Sequence, residues 1–243
     1  MANLTPSTRL RRETASSRPR TRAVAAKRLS GADRRERLIA VATRLFSDRG
    51  FSATTTREIA NAAGVTEAII FRHFAHKAEL YEAILEVKAR EAGTERWVDE
   101  LRDAADSGDD LKVLHRLLAL IMDHSQQDPQ FLRLMLHAAL DHREMMREFR
   151  SRHLAPLYQE LVKFVERGQR AKRFRQDNPH ALARVLLAVP SYHALLDTLL
   201  GGDTLGHVGD EAADIYARLM LDALSMPGAA TPKGVRKPRI ATK

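Results

Sequence analysis

Three large apolar residues, Ile69, Ile70 and Phe71, stand side by side in the segment TTTREIANAAGVTEAIIFRHF, residues 54–74. Neighbours on an α-helix are about 100° apart, so three in a row fan over roughly 200° and only one can face a core. The flanking residues say which. Thr55 and Glu58 have the T-x-x-E spacing of a capping box, which starts a helix at Thr56. Ile59, Ala60 and Ala63 give that helix a narrow apolar face, and Gly64 supplies the left-handed residue that ends it. Thr66 then caps a third helix, with Glu67 in its first turn. A helix, a glycine turn and a helix make a helix-turn-helix. Ile70 and Phe74 lie four apart and pack inward with Ile59 and Val65. Ile69 and Phe71 are left on surfaces that point away from the core, where a groove-reading helix meets thymine methyls and sugar edges.

On either side the periodicity stays helical. A first helix is expected over 32–49, with Leu38, Val41, Ala42, Leu45 and Phe46 recurring on one side and arginines opposite. Asp33 is its expected N-cap and Gly50 its stop. A fourth helix is expected over 77–94. Beyond it the spacing predicts helices over 111–125, 129–142, 144–171, 178–200 and 210–226, with Pro190 kinking or breaking the one that holds it. No clear run alternates apolar and polar over six residues, and Ala, Leu and Arg dominate. The chain is therefore read as all-α.

Charge divides the 243 residues further. The formal net charge is +9, yet residues 1–30 hold eight basic residues against Glu13 alone, and residues 227–243 hold five and no acid. The body between them is left mildly acidic. Both tails are rich in Pro, Thr, Ser and Ala and cannot bury enough apolar surface to order themselves. Polyanions attract such tails, and nucleic acid is the commonest polyanion in a cytosol; on charge alone the tails also read as solvated linkers. There are no cysteines, which removes disulfides, thiolate nucleophiles and Cys-type zinc sites and fits a reducing cytosol. No apolar run approaches the ~20 residues of a membrane span, and no apolar stretch follows the basic N-terminus, so neither a membrane nor a secretory signal is expected.

At this point the segment RLIAVATRLFSDRGFSATTTREIANAAGVTEAIIFRHFAHKAELYEAIL resembles the N-terminal DNA-binding domain of the TetR family of transcriptional regulators, over roughly residues 33–90. The resemblance rests on LFSDRGF, TTTREIANAAGVT and IFRHFAHKAEL in register. It implies a basic tail over 1–31, a three-helix DNA-binding head over 32–92, a larger helical regulatory and dimerisation domain over 93–226, and a second basic tail over 227–243. It makes the segment from Thr66 to Phe74 the recognition helix. Glu67, Ala68 and Ile69 would lie where base edges are reached: Glu67 either accepts from a cytosine amino group or only sits favourably on the helix dipole, and Ala68 and Ile69 are candidates for thymine methyls. Phe71 stands where the family usually has Tyr, so a phosphate hydrogen bond of about 1 kcal/mol is lost. His73 and Lys77 match the family's phosphate-contacting His and Lys. Thr55, Thr56 and Arg57 sit similarly at the start of the second helix, Thr66 can donate to a phosphate, and Arg72 is either a groove contact or a solvated side chain. The basic N-terminal tail is expected to reach along the backbone or into the minor groove.

The same resemblance implies a homodimer on double-stranded DNA, paired through the helices near 180–200 and 210–225. The near-uniform apolarity of residues 182–200 and the stripe Ile215, Leu219, Leu221 and Leu224 agree with this, although burial within one chain would read the same way. The resemblance also implies a small-molecule effector, here unidentified and expected to be hydrophobic. Trp97, Met122, Phe131, Met135, Tyr158 and His193 are candidate lining residues, though Met and aromatics at this spacing are also ordinary core. Two alternatives stand beside a ligand-responsive repressor acting in the cytoplasm on the nucleoid. One is a helix-turn-helix protein with no ligand switch. The other is a metal-dependent helical-bundle enzyme, for which His137, Asp141 and His142 are close in sequence. No Glu-x-x-His pair, H-E-x-x-H, G-x-S-x-G or P-loop pattern supports the enzyme, so no catalytic residue, metal or cofactor is assigned.

Overall fold

A computed structural model of the protein describes residues 30–201 and 211–226. The readings of the two basic tails, and of most of the GGDTLGHVGD loop, lie outside the described residues. Eleven α-helices are present among the described residues, with no strand beyond one isolated bridge between Phe174 and Ser225. No helix there is long and apolar enough to cross a membrane.

Helix α1 (Gly31–Ala53) starts at Ser30, not Asp33: the two make a reciprocal capping box, with Asp33 at the third helical position. Gly50 interrupts it at φ 81°, as a stop residue should, and a short helical turn resumes beyond. In α2 (Thr56–Ala63) the Thr55 hydroxyl accepts from Glu58 N at 3.2 Å, and the Glu58 carboxylate accepts from Thr55 N at 2.9 Å. Gly64, at φ 69° and ψ 36°, ends α2. Val65 N donates to Ala60 O and Gly64 N to Asn61 O, which is a Schellman turn. α3 (Glu67–His73) follows, with Thr66 at the N-cap position but making no side-chain cap hydrogen bond. α4 (Lys77–Ala92) begins at His76, whose ring accepts from Glu79 N, and ends at the left-handed Gly93.

The larger part departs from the sequence reading in three places. α5 (Thr94–Asp106) starts immediately after Gly93, where no helix was expected. Its buried side is narrow, Leu101 and Ala104, among many acidic residues. α6 (Asp110–Gln127) and α7 (Pro129–Asp141) appear as expected. The single helix expected over 144–171 is instead α8 (Arg143–Phe149), a π-helical turn (Arg150–Leu154) and α9 (Ala155–Arg170). Pro156 has no N–H for the preceding turn, and a wider turn there carries the chain past it. α10 (Pro179–Leu200) runs on through Pro190, so the proline does not break it. α11 is Ala212–Leu224.

Two apolar cores result. The first joins α1–α4 to Phe131, Leu134, Ala138, Met145 and Phe149 of α7 and α8. Tyr81, fully buried here, packs edge-on to Phe46 and donates its hydroxyl to Leu134 O at 2.7 Å. Burial first, then the charge of Asp141, pushes that phenol well above its ordinary range, so it stays a neutral donor. The second core is built from α5, α6 and α9–α11. Both outermost helices keep an apolar outer side. On α10, Val185, Tyr192 and Leu199 are exposed; on α11, Ile215 and Leu219. The stripe expected on α11 is split: Ile215 and Leu219 face out, Leu224 is buried and Leu221 is half-buried.

Candidate nucleic-acid interface

The Schellman turn at Gly64 sets the angle between α2 and α3. Ile59 and Ile70 close against each other's helices at 0% and 1% exposure, with Phe74 buried and Val65 half-buried beside them. With Ile70 alone of the three neighbours turned inward, Phe71 is 50% exposed and Ile69 half-buried. Ala68 and Arg72 are exposed, as are Thr55, Arg57 and Thr66. Thr55, Arg57 and Thr66 sit at the starts of α2 and α3, whereas Phe71 and Arg72 lie in the last turn of α3.

Several side chains here are already engaged. Thr56 Oγ1 donates to Glu67 Oε1 at 2.6 Å, tying the first turn of α2 to that of α3. A base contact by Glu67 has to share or break this bond. Glu58 is held by Thr55 and by Arg49 at 3.2 Å; the hydrogen bonds from Thr55, ahead of the charge of Arg49, keep its carboxyl below the usual range. His73 is half-buried, and its Nε2 is covered and without a partner. Arg35 of α1 lies over the Phe74 ring at 4.9 Å.

Lys77 departs most from a free phosphate contact. Its Nζ donates to Phe51 O and Thr54 O, each at 2.9 Å, and sits 4.1 Å from the Phe51 ring centroid. Two of its three donors therefore close the end of α1, which leaves one for a phosphate. Burial lowers its pKa, against the nearby charge of Asp141. Thr54, which the sequence reading passed over, is fully buried and donates to Gly50 O at 2.9 Å.

A cavity of about 170 Å³ lies between α5, α6, α7, the π-turn, α9 and α10. Of the candidate lining residues, Trp97, Phe131 and Met135 border it. Met122, Tyr158 and His193 do not. Met122 is buried in the second core; the Tyr158 hydroxyl donates to His180 O at 3.1 Å; and His193 pairs with Asp197 at 3.3 Å. The sequence reading missed His124 and Asp128, two lining residues four apart at the polar end of α6. Their signal was the break DHSQQD in an otherwise amphipathic helix. Of the residues weighed as metal ligands, His137 Nδ1 lies 2.8 Å from where a Cβ on Gly50 would stand, and Asp141 accepts from Ser52 N at 3.4 Å. Both join α7 to the head. No group of three metal-ligating side chains comes together among the described residues.

Known proteins match both halves. The family described as bacterial regulatory proteins, tetR family, matches residues 38–84, and the tetracyclin repressor-like C-terminal domain matches residues 111–197. Nucleoid occlusion factor SlmA of Vibrio atlanticus (strain LGP32) is 28% identical over 160 residues, 64% of this chain and 76% of its own. The HTH-type transcriptional regulator AcrR of Shigella flexneri is 37% identical over 89 residues, 37% of this chain and 40% of its own. A putative fatty acid metabolism regulator of Clostridium perfringens has the same fold, with a TM-score of 0.60 at 17% identity over 79% of this chain and all of its own. A helix-turn-helix head whose α3 turns Ala68, Phe71 and Arg72 outward thus coincides with family matches on it and on the helices beyond, and the chain belongs to the TetR family, as a DNA-binding transcriptional regulator and not an enzyme.

Proposed function

We propose that the protein represses transcription from a palindromic operator, which it binds as a homodimer, and that it leaves DNA when a small apolar molecule fills the cavity. Regulators of this family bind DNA and act as dimers. The observation that carries the operator reading is the outward surface of α3, where Ala68, Phe71 and Arg72 are exposed around a single buried anchor, Ile70. Ala68, Ile69 and Phe71 would meet base methyls and sugars. Thr55, Arg57, Thr66, Arg72, His73 and the free donor of Lys77 would hold phosphates, which fix register and carry no sequence information. Glu67, with Thr56 bonded to it, positions the two helix starts on the groove.

The dimer would form through α10 and α11. Ala181, Val185, Ala188, Tyr192 and Leu199 recur at helical spacing on the exposed side of α10, beside Ile215 and Leu219 of α11. One recognition helix reads only a few base pairs, and a two-fold pair reads two half-sites. The protein would act in the cytoplasm, on the nucleoid.

Selection of bound duplexes from a random pool tests the reading. A palindrome with half-sites about one helical turn apart is expected; enrichment of no sequence would end it. A second reading, a DNA-bound factor with no ligand switch, is favoured by the match to SlmA relatives over both halves of the chain. Ligand-induced release of the selected duplex separates the two.

A further inference from the structure

The walls of the cavity say more about its occupant than that it is apolar. Apart from His124, Ser125, Asp128 and Ser191, every lining residue is aliphatic, aromatic or Met. Two of these four polar groups are engaged within the protein. Ser125 Oγ donates to Met122 O at 2.8 Å, and the Asp128 carboxylate is paired with Lys88 at 2.9 Å. The cavity therefore offers no free charge to balance an ionised ligand, and burying an unpaired charge is far costlier than burying a hydroxyl.

His124 differs. Its ring stands edge-on between Trp97 and Phe131, with centroids 5.5 Å from each, and its Nε2 is buried without a partner. Burial is the main cause that lowers its pKa, with Lys88 adding to it and Asp128 opposing. The imidazole is thus held toward its neutral form, able to donate from one nitrogen and accept at the other. A buried polar atom left unpaired is costly, and because Nε2 is covered by protein atoms, a ligand recovers that cost by turning the ring toward the cavity.

Size narrows the class. An engineered apolar cavity of about 150 Å³ takes benzene, so about 170 Å³ suits one ring with a small substituent. We propose that the cavity binds an uncharged one-ring compound bearing a single hydroxyl, a phenol, with the ring among Trp97, Phe131 and Met135 and the hydroxyl on the His124 imidazole. This rests on the ligand-responsive reading above and names the chemistry of the site.

Calorimetry on the full chain, with phenol, benzene, hexanoate and dodecanol in turn, tests it, alongside DNA release from the selected operator. Phenol is expected to bind about tenfold tighter than benzene, the worth of one good hydrogen bond. His124→Phe, which keeps the ring contacts, should remove that preference while leaving benzene affinity within about threefold, and His124→Gln should restore part of it. No saturable phenol binding, tighter binding of hexanoate, or an unchanged preference in His124→Phe would overturn the proposal. If dodecanol binds and releases DNA while phenol does not, the compound class is wrong and the ligand-responsive reading survives. If no compound binds while the operator is held, both fall.

Discussion

The molecule turns two kinds of surface outward. On α3, one residue of seven is buried and the exposed positions mix Ala68, Phe71 and Arg72. On α10 and α11, the exposed positions include Val185, Tyr192, Leu199, Ile215 and Leu219. A mixed surface suits a partner that is charged, hydrated and released on demand, since ionic contacts weaken steeply with salt. An apolar one suits a partner that stays, since its driving force hardly depends on salt. Under the proposed function, the contact to be broken and the contact to be kept fall on helices from different cores.

The largest effect that would break this contrast is expected on α11. Leu219→Arg puts a charge on the apolar side without touching the core, so sedimentation should show monomers, and operator affinity should fall by about 100-fold as the half-sites are lost to single heads. A variant that stays dimeric would remove α11 from the interface. Next comes Lys77→Met, which leaves Thr54 O without its donor and Phe51 O with only the long bond from Thr54 N at 3.4 Å. Unfolding free energy should fall by about 1–3 kcal/mol, read as a lower Tm, with DNA affinity reduced as well. Arg72→Ala should do the opposite in kind. Stability should stay within about 0.5 kcal/mol, while affinity falls and the slope of log K against log salt shrinks by roughly 0.9 if one phosphate contact is lost. The smallest change is expected from Phe71→Tyr, where a restored hydroxyl should tighten binding about fivefold for about 1 kcal/mol. Anisotropy titrations at two salt concentrations would read the last two.

How far each region could be read from sequence follows the reach of its determinants. In the head they are local: Thr55 speaks to Glu58, and Gly64 to Ala60 and Asn61. The second and third helices were therefore legible to within a residue or two, as was the inward turn of Ile70. Lys77 was legible as a position but not as an orientation, because the carbonyls it holds lie 23 and 26 residues earlier. The cavity draws its walls from six separate segments, so periodicity could nominate Trp97, Phe131 and Met135 but could not exclude Met122, Tyr158 or His193. α5 was missed because it directly abuts α4, with Gly93 serving as the stop of one and the start of the other. The π-turn was missed because Pro156, well inside the expected helix, was not read as the interior break that a missing N–H imposes.

The core that α1–α4 share with Phe131, Leu134, Ala138, Met145 and Phe149 bears on how such a protein can be rebuilt. A chimera cut at Gly93 would strip Tyr81 of the carbonyl it donates to and lay bare the oily underside of the reading unit. Grafting this head onto another C-terminal domain therefore requires transplanting α7 and α8 together with the first four helices, and a fragment ending at Gly93 should be recovered mainly as aggregate.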